Sequence, residues 1–117
     1  MKIKWCTIKV SNMERSAKFY RDFLGLKTQR TFSPFPGTEI MFLTDENGME
    51  LELLCSIDNV QPGNVSVGME SDDYERLLET AGAEGFPVSG PTVMGGEMEC
   101  FFVSDPDGVQ IQVIKPR

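Results

Sequence analysis

The tightest constraint on this chain is a ten-residue pattern that occurs twice. Asp45-Glu-Asn-Gly-Met-Glu-Leu-Glu-Leu-Leu54 lies over Asp105-Pro-Asp-Gly-Val-Gln-Ile-Gln-Val-Ile114. Asp and Gly hold the same places, and an alternating strand follows in the same phase. An internal repeat restricts the fold to copies of one supersecondary unit that bury a shared face.

The element order restarts as well. Residues 2–10 alternate, with Cys6, Ile8 and Val10 on one side and Trp5, Thr7 and Lys9 on the other, the pattern of a half-buried strand. Asn12 is placed to cap a helix running to about Leu24, with Met13, Ala17, Tyr20 and Leu24 at helical spacing and Gly25 as the stop. Strands are expected near 26–33, 38–44 and 49–55, separated by the turn chemistry of Pro34 to Gly37 and Asp45 to Gly48. A polar linker containing Pro62 leads to a second strand-helix pair. Residues 64–69 alternate, Ser71/Asp72 opens a helix with Glu75 in capping-box position to Asp72, and Gly82 is expected to end it. Three further strands are expected near 86–93, 97–104 and 109–115. The sequence therefore predicts an α+β fold of two βαβββ modules, residues 1–57 and 63–117, forming one domain of 117 residues.

Composition removes several classes of function. The formal charge of −7, from 18 acids against 11 bases, opposes binding to nucleic acid or to an anionic membrane surface, and favours cationic or neutral ligands. No apolar run approaches the roughly 20 residues that span a bilayer. The start of the sequence has no signal-peptide core, so a cytoplasmic location is expected. Cys6, Cys55 and Cys100 stand singly in apolar runs, which fits reduced thiols better than disulfides or a zinc knuckle. Histidine is absent, so there is no Ser-His or Cys-His nucleophile pair and none of the commonest zinc ligand.

Two segments carry a family resemblance. Val10-Ser-Asn-Met-Glu-Arg-Ser-Ala-Lys-Phe-Tyr-Arg-Asp-Phe-Leu-Gly-Leu-Lys27 resembles the first helix of a vicinal-oxygen-chelate module. Phe101-Phe-Val-Ser-Asp-Pro-Asp-Gly108 and the strand after it resemble the end of a second one. The resemblance to this glyoxalase/bleomycin-resistance/dioxygenase superfamily implies sheets curled around a cup-shaped cavity with helices outside, and commonly a homodimer. Metal-dependent members carry a ligand, typically His or Glu, on the first and last strand of each module. Matching the motifs puts Trp5 and Glu52 at those positions in the first module, and Asn64 and Gln112 in the second.

Strand parity gives an independent check. If those four residues face the cavity, their alternate neighbours face the helices. Those neighbours are Cys6, Ile8 and Val10; Leu51, Leu53 and Cys55; Val65, Val67 and Met69; Val109, Ile111 and Val113, all apolar. Cys100 has no assignable face.

Three chemistries are open to these residues. A metal-dependent lyase, isomerase or dioxygenase would need a divalent ion held by Glu52, Asn64 and Gln112, with an indole in the fourth place. Amide oxygens are weak ligands suited to hard ions, and indole offers no lone pair. A metal-free module, similar to the bleomycin-resistance branch, would instead bind a small cationic or aromatic molecule. Trp5 would serve as a stacking platform beside Thr7, Glu50, Glu52, Asn64 and Gln112, with Phe32, Phe35, Met41 and Phe102 as apolar wall. In the plainer alternative, Trp5 only plugs an unused cavity. The third chemistry is metal-free catalysis with Glu52 as general base, for which Tyr20, Tyr74 and the cysteines are conceivable acids. The metal-free binding module, with no cofactor, is the preferred expectation.

Overall fold

A computed structural model describes residues 3–57, 63, 65–94 and 96–117. Its internal contacts divide the chain into two units, residues 1–60 and 61–117.

The first unit runs β1 (Trp5–Val10), α1 (Met13–Ala17), a π-helical segment (Lys18–Phe23), β2 (Lys27–Phe32), β3 (Glu39–Thr44) and β4 (Glu50–Cys55). Its sheet order is β1-β4-β3-β2. β1 and β4 are parallel, and the other pairs are antiparallel. The Asn12 carboxamide accepts the Arg15 amide hydrogen at 2.9 Å, which starts the helix as its sequence position predicts. The helix covers the expected length, but its second half winds more widely. There the Leu24 amide reaches the Phe19 carbonyl, five residues back, at 3.0 Å. Gly25, at φ +82, then ends it. Phe19, Tyr20 and Ala17 are buried, as are Ile8, Val10, Met41, Leu43, Leu51 and Leu53 on one face of the sheet. Each such aliphatic side chain stabilises the fold by about 1.5–3 kcal/mol relative to exposure.

The second unit repeats the plan with β5 (Ser66–Glu70), α2 (Tyr74–Ala83), β6 (Val88–Met94), β7 (Met98–Ser104) and β8 (Gln110–Ile114), ordered β5-β8-β7-β6. Again the first and last strands pair in parallel. Phe101, Val103, Ile111 and Val113 are buried with Tyr74, Leu77 and Ala81 of α2. The α+β class and the repeated element order read from the sequence are both present.

The caps of α2 differ from expectation. Asp73 stands at the N-cap without a side-chain cap bond, and Ser71 Oγ accepts the Asp73 amide hydrogen at 3.0 Å, so the Asp72–Glu75 capping box does not form. The helix also passes through Gly82. Its termination needs a left-handed residue, and Gly85, at φ +75, supplies it three positions later. There the Phe86 and Gly85 amides close on the carbonyls of Ala81 and Gly82 at 3.0 and 3.2 Å.

The repeated turn is the same structure twice. Asp45 Oδ1 accepts the amides of Asn47 and Met49 at 2.9 and 2.8 Å. Asp105 Oδ1 accepts those of Asp107 and Val109, both at 2.8 Å. Gly48 and Gly108 follow at φ +83 and +89, a conformation that glycine adopts without steric cost.

Tyr74 packs on Phe101, with ring centroids 5.3 Å apart. Its hydroxyl lies beside the Glu99 carboxylate without reaching a well-formed hydrogen bond. Burial first, then Glu99, push that hydroxyl up to about 12. A raised phenol favours the protonated form in the fold. Its stabilising contribution is complete below pH of about 10 and is lost as pH rises towards about 12. Absorbance at 295 nm should therefore show a tyrosine ionising near pH 12, with the unfolding midpoint falling over the same window; Tyr74→Phe should remove both effects.

Among the described residues, no helix is long and apolar enough to cross a membrane.

Candidate ligand site on the first sheet

The strand register of the first unit fixes which side chains share a face, because partners across a ladder point the same way. One row runs Thr7, Glu52, Phe42, Arg30 across all four strands. Beside it run Trp5, Glu50, Thr44, Lys27 and, on the other flank, Lys9, Leu54, Ile40, Phe32. This face is opposite the buried Ile8, Leu43, Leu51 and Leu53.

Phe42 is its floor and is fully covered. Trp5 meets it edge-on, with centroids 5.1 Å apart at 83°, and remains 42% exposed. Phe32 lies nearly parallel to Phe42 at 6.4 Å. The Arg30 guanidinium rests on the Phe42 ring, with Cζ 3.8 Å from its centroid, and Arg30 Nη1 pairs with Glu50 Oε2 at 3.2 Å. Next to this aromatic group the buried Glu52 accepts a hydrogen bond of 2.6 Å from the Thr7 hydroxyl. That donor fixes one carboxylate oxygen. The arrangement offers a half-open indole, a pinned guanidinium and an oriented carboxylate within neighbouring rows.

The corresponding row of the second unit is Gly68, Gln112, Phe102, Ser89. Gln112 Nε2 donates to Cys100 Sγ at 3.3 Å and lies 3.7 Å from Met94 Sδ, both weak acceptors. Cys100, which had no assignable face, is thus on the Gln112 side of the sheet and fully buried.

The sequence-derived residues distribute as follows. Trp5, Thr7, Glu50 and Glu52 share the open face of the first sheet with Phe32, and Gln112 and Phe102 share that of the second. Met41 is a correction: it pairs with Leu53, faces the helix side and is buried, because β3 is apolar on both sides and its phase is set by pairing with β4. Phe35 stands exposed in the loop between β2 and β3 rather than on a strand wall. Asn64 lies outside the described residues; Ser66, beside Gln110, holds the place that Trp5 holds beside Glu50. Tyr20 and Tyr74 are buried in the helices, which removes them as acids for Glu52. Phe42 and Arg30 were missed. Phe42 follows from β3 parity once that strand is phased. Arg30 is brought to this face by the register shift between Thr28 and Arg30, and simple alternation from Lys27 would have chosen Gln29 and Thr31.

These donors do not suit the metal of the superfamily's metal-dependent members. An indole without a free lone pair stands at the first position, Glu52 is engaged by Thr7, and Gln112 directs its amide nitrogen at two sulfurs. Among the described residues, no group of three His, Cys, Asp or Glu side chains could hold one ion.

An open groove of about 730 Å³ lies on the other side of the first sheet, between the helix and the strands, near Met13, Lys18, Arg21, Glu39, Met41 and Cys55. Its charges are mixed, with Glu39 beside Lys18 and Arg21, and volume alone does not make it the site.

The family model described as Glyoxalase/Bleomycin resistance protein/Dioxygenase superfamily matches residues 2–113. Lactoylglutathione lyase of Haemophilus influenzae is 33% identical over 130 residues, covering 100% of this chain and 94% of that enzyme. Lactoylglutathione lyase of Salmonella typhimurium is 29% identical over 129 residues, covering 100% and 94%. A superfamily member from Sphaerobacter thermophilus has the same fold at TM-score 0.81 and 20% identity, covering 99% of this chain and 98% of that one. TnmS3, an antibiotic binding protein from Streptomyces, does so at TM-score 0.80 and 20% identity, covering 100% and 97%. With its repeated βαβββ architecture and a match along nearly its whole length, the chain belongs to the glyoxalase/bleomycin resistance protein/dioxygenase superfamily.

Proposed function

We propose that this protein binds a small organic molecule with an aromatic body on the open face of its first sheet, without a resident metal. The observation that carries this reading is the half-exposed Trp5 propped on the buried Phe42, next to a Glu52 carboxylate that Thr7 holds in place. A rigid aromatic platform with few oriented polar groups is the usual make-up of a small-molecule site. Stacking on Trp5 supplies affinity, and the Thr7–Glu52 pair gives the face a fixed polar edge. In this reading the protein acts as a cytoplasmic homodimer, and Gln112 and Phe102 offer a separate set of groups on the sheet of their own unit.

A second reading is a metal-dependent lyase, favoured by the 33% identity to the Haemophilus influenzae lactoylglutathione lyase along the whole chain. The two are separated by one assay. Chelator-treated protein is tested for lactoylglutathione formation before and after addition of Zn²⁺ or Ni²⁺. The proposal expects no metal-stimulated turnover and no stoichiometric metal in the purified protein by mass spectrometry. Turnover that appears with one equivalent of metal overturns it in favour of the lyase.

A further inference from the structure

The chain's overall charge favours a cationic guest, but the local chemistry of the open face points the other way. Of the 18 acids only Glu50 and Glu52 stand in its three rows, against Lys9, Lys27 and Arg30 among the 11 bases. Glu52 is buried and takes the Thr7 hydroxyl, and Glu50 is largely covered, its side chain 18% exposed. Lys9, Lys27 and Arg30 are exposed, and Arg30, its side chain 43% exposed, is the one that rests on the same Phe42 ring as the indole.

Arg30 is held in place. Its guanidinium lies over the Phe42 ring with Cζ 3.8 Å from the centroid, and its Nη1 donates to Glu50 at 3.2 Å. A guanidinium has five donors in a rigid fork, so most of its hydrogen-bonding capacity remains open. That contact restrains the guanidinium beforehand, which reduces the ordering cost of binding an anion. A partly exposed single-contact ion pair such as Arg30–Glu50 adds little stability and yields readily to a second carboxylate.

Resting on the reading that this face binds an aromatic ligand, we infer that the ligand presents an oxyanion to Arg30. The preferred class is an aromatic carboxylate or a closely related aromatic oxyanion, whose ring lies against Trp5 while its charged group takes the free edge of the guanidinium. Arg30 is then the residue that sets charge specificity.

Three probes sharing one ring system test this: 2-naphthoate, 2-naphthylmethanol and 2-naphthylmethylammonium. Each is titrated by calorimetry into the chelator-treated full chain at low ionic strength. The carboxylate should bind about 10-fold more tightly than the alcohol, with the ammonium weakest, and the preference should shrink as salt is added. Arg30→Gln should bring the carboxylate to within about twofold of the alcohol. Unchanged alcohol binding shows that the face is intact, and Arg30→Lys should retain only part of the preference because an ammonium lacks the planar fork. Tighter binding of the ammonium, or a carboxylate preference that survives Arg30→Gln, overturns the inference and leaves the ligand-binding reading standing. Failure of all three probes to bind the unaltered protein overturns both.

Discussion

Replacing Phe42 with alanine should destabilise the protein by about 3–5 kcal/mol, the range for removing a fully buried aromatic ring. The effect is large because three neighbours lean on this ring. Trp5 meets its edge, Arg30 lies on its face and Phe32 stands parallel to it. Phe42→Leu keeps most of the volume and loses chiefly the aromatic and cation–π contacts, so it should cost about 1–2 kcal/mol. Urea unfolding followed by emission of Trp5, the chain's single tryptophan, reads both variants. A cost for Phe42→Ala no larger than that of Phe42→Leu would mean that the ring is not the floor of this face. In the folded Phe42→Leu variant, Trp5 and Arg30 lose the ring that restrains them. Aromatic ligands should therefore bind more weakly even where the fold survives.

The second large effect is expected at the repeated turn. Asp105 is 4% exposed and its Oδ1 accepts two backbone amides at 2.8 Å. Asp105→Ala strands those donors where water reaches them poorly, and should cost about 3 kcal/mol. Asp45 makes the same pair of bonds at an exposed site. Water can replace its carboxylate, so Asp45→Ala should cost only about 1 kcal/mol. Asp105→Asn preserves an acceptor oxygen but loses the charge, and should fall between them. Thermal unfolding of the three variants provides the comparison, and equal costs at the two aspartates would show that burial does not separate the turns.

These two sites also mark how far the sequence could be read. The Asp-x-x-Gly turn was visible in letters because its chemistry is local: an Asx bond two and four residues ahead and a glycine at positive φ. The faces of β1, β4, β5 and β8 were visible because every second residue in each is apolar, while the polar residues are confined to the alternate set. β3 was not. Its Glu-Ile-Met-Phe-Leu-Thr is apolar on both sides, so only pairing with β4 decides that Phe42 and not Met41 faces outward. Cys100 and Phe102 sit in a similarly unphased run on β7. Arg30 was hidden by a register shift, which reverses parity without a marking glycine or proline. At the end of α2 two glycines compete, and the backbone bonds closed by Gly85 and Phe86 settle which one carries the left-handed turn.

Ligand binding at the Trp5–Phe42–Glu52 face is tested most directly by amide and indole NMR shifts. Chelator-treated, ¹⁵N-labelled protein is titrated with 2-naphthoate. The predicted result is saturable movement of the Trp5 indole signal together with Thr7, Arg30 and Glu52, while Lys18, Arg21 and Cys55 around the groove behind the sheet stay fixed. Movement confined to that groove, with Trp5 and Glu52 unchanged, would contradict it.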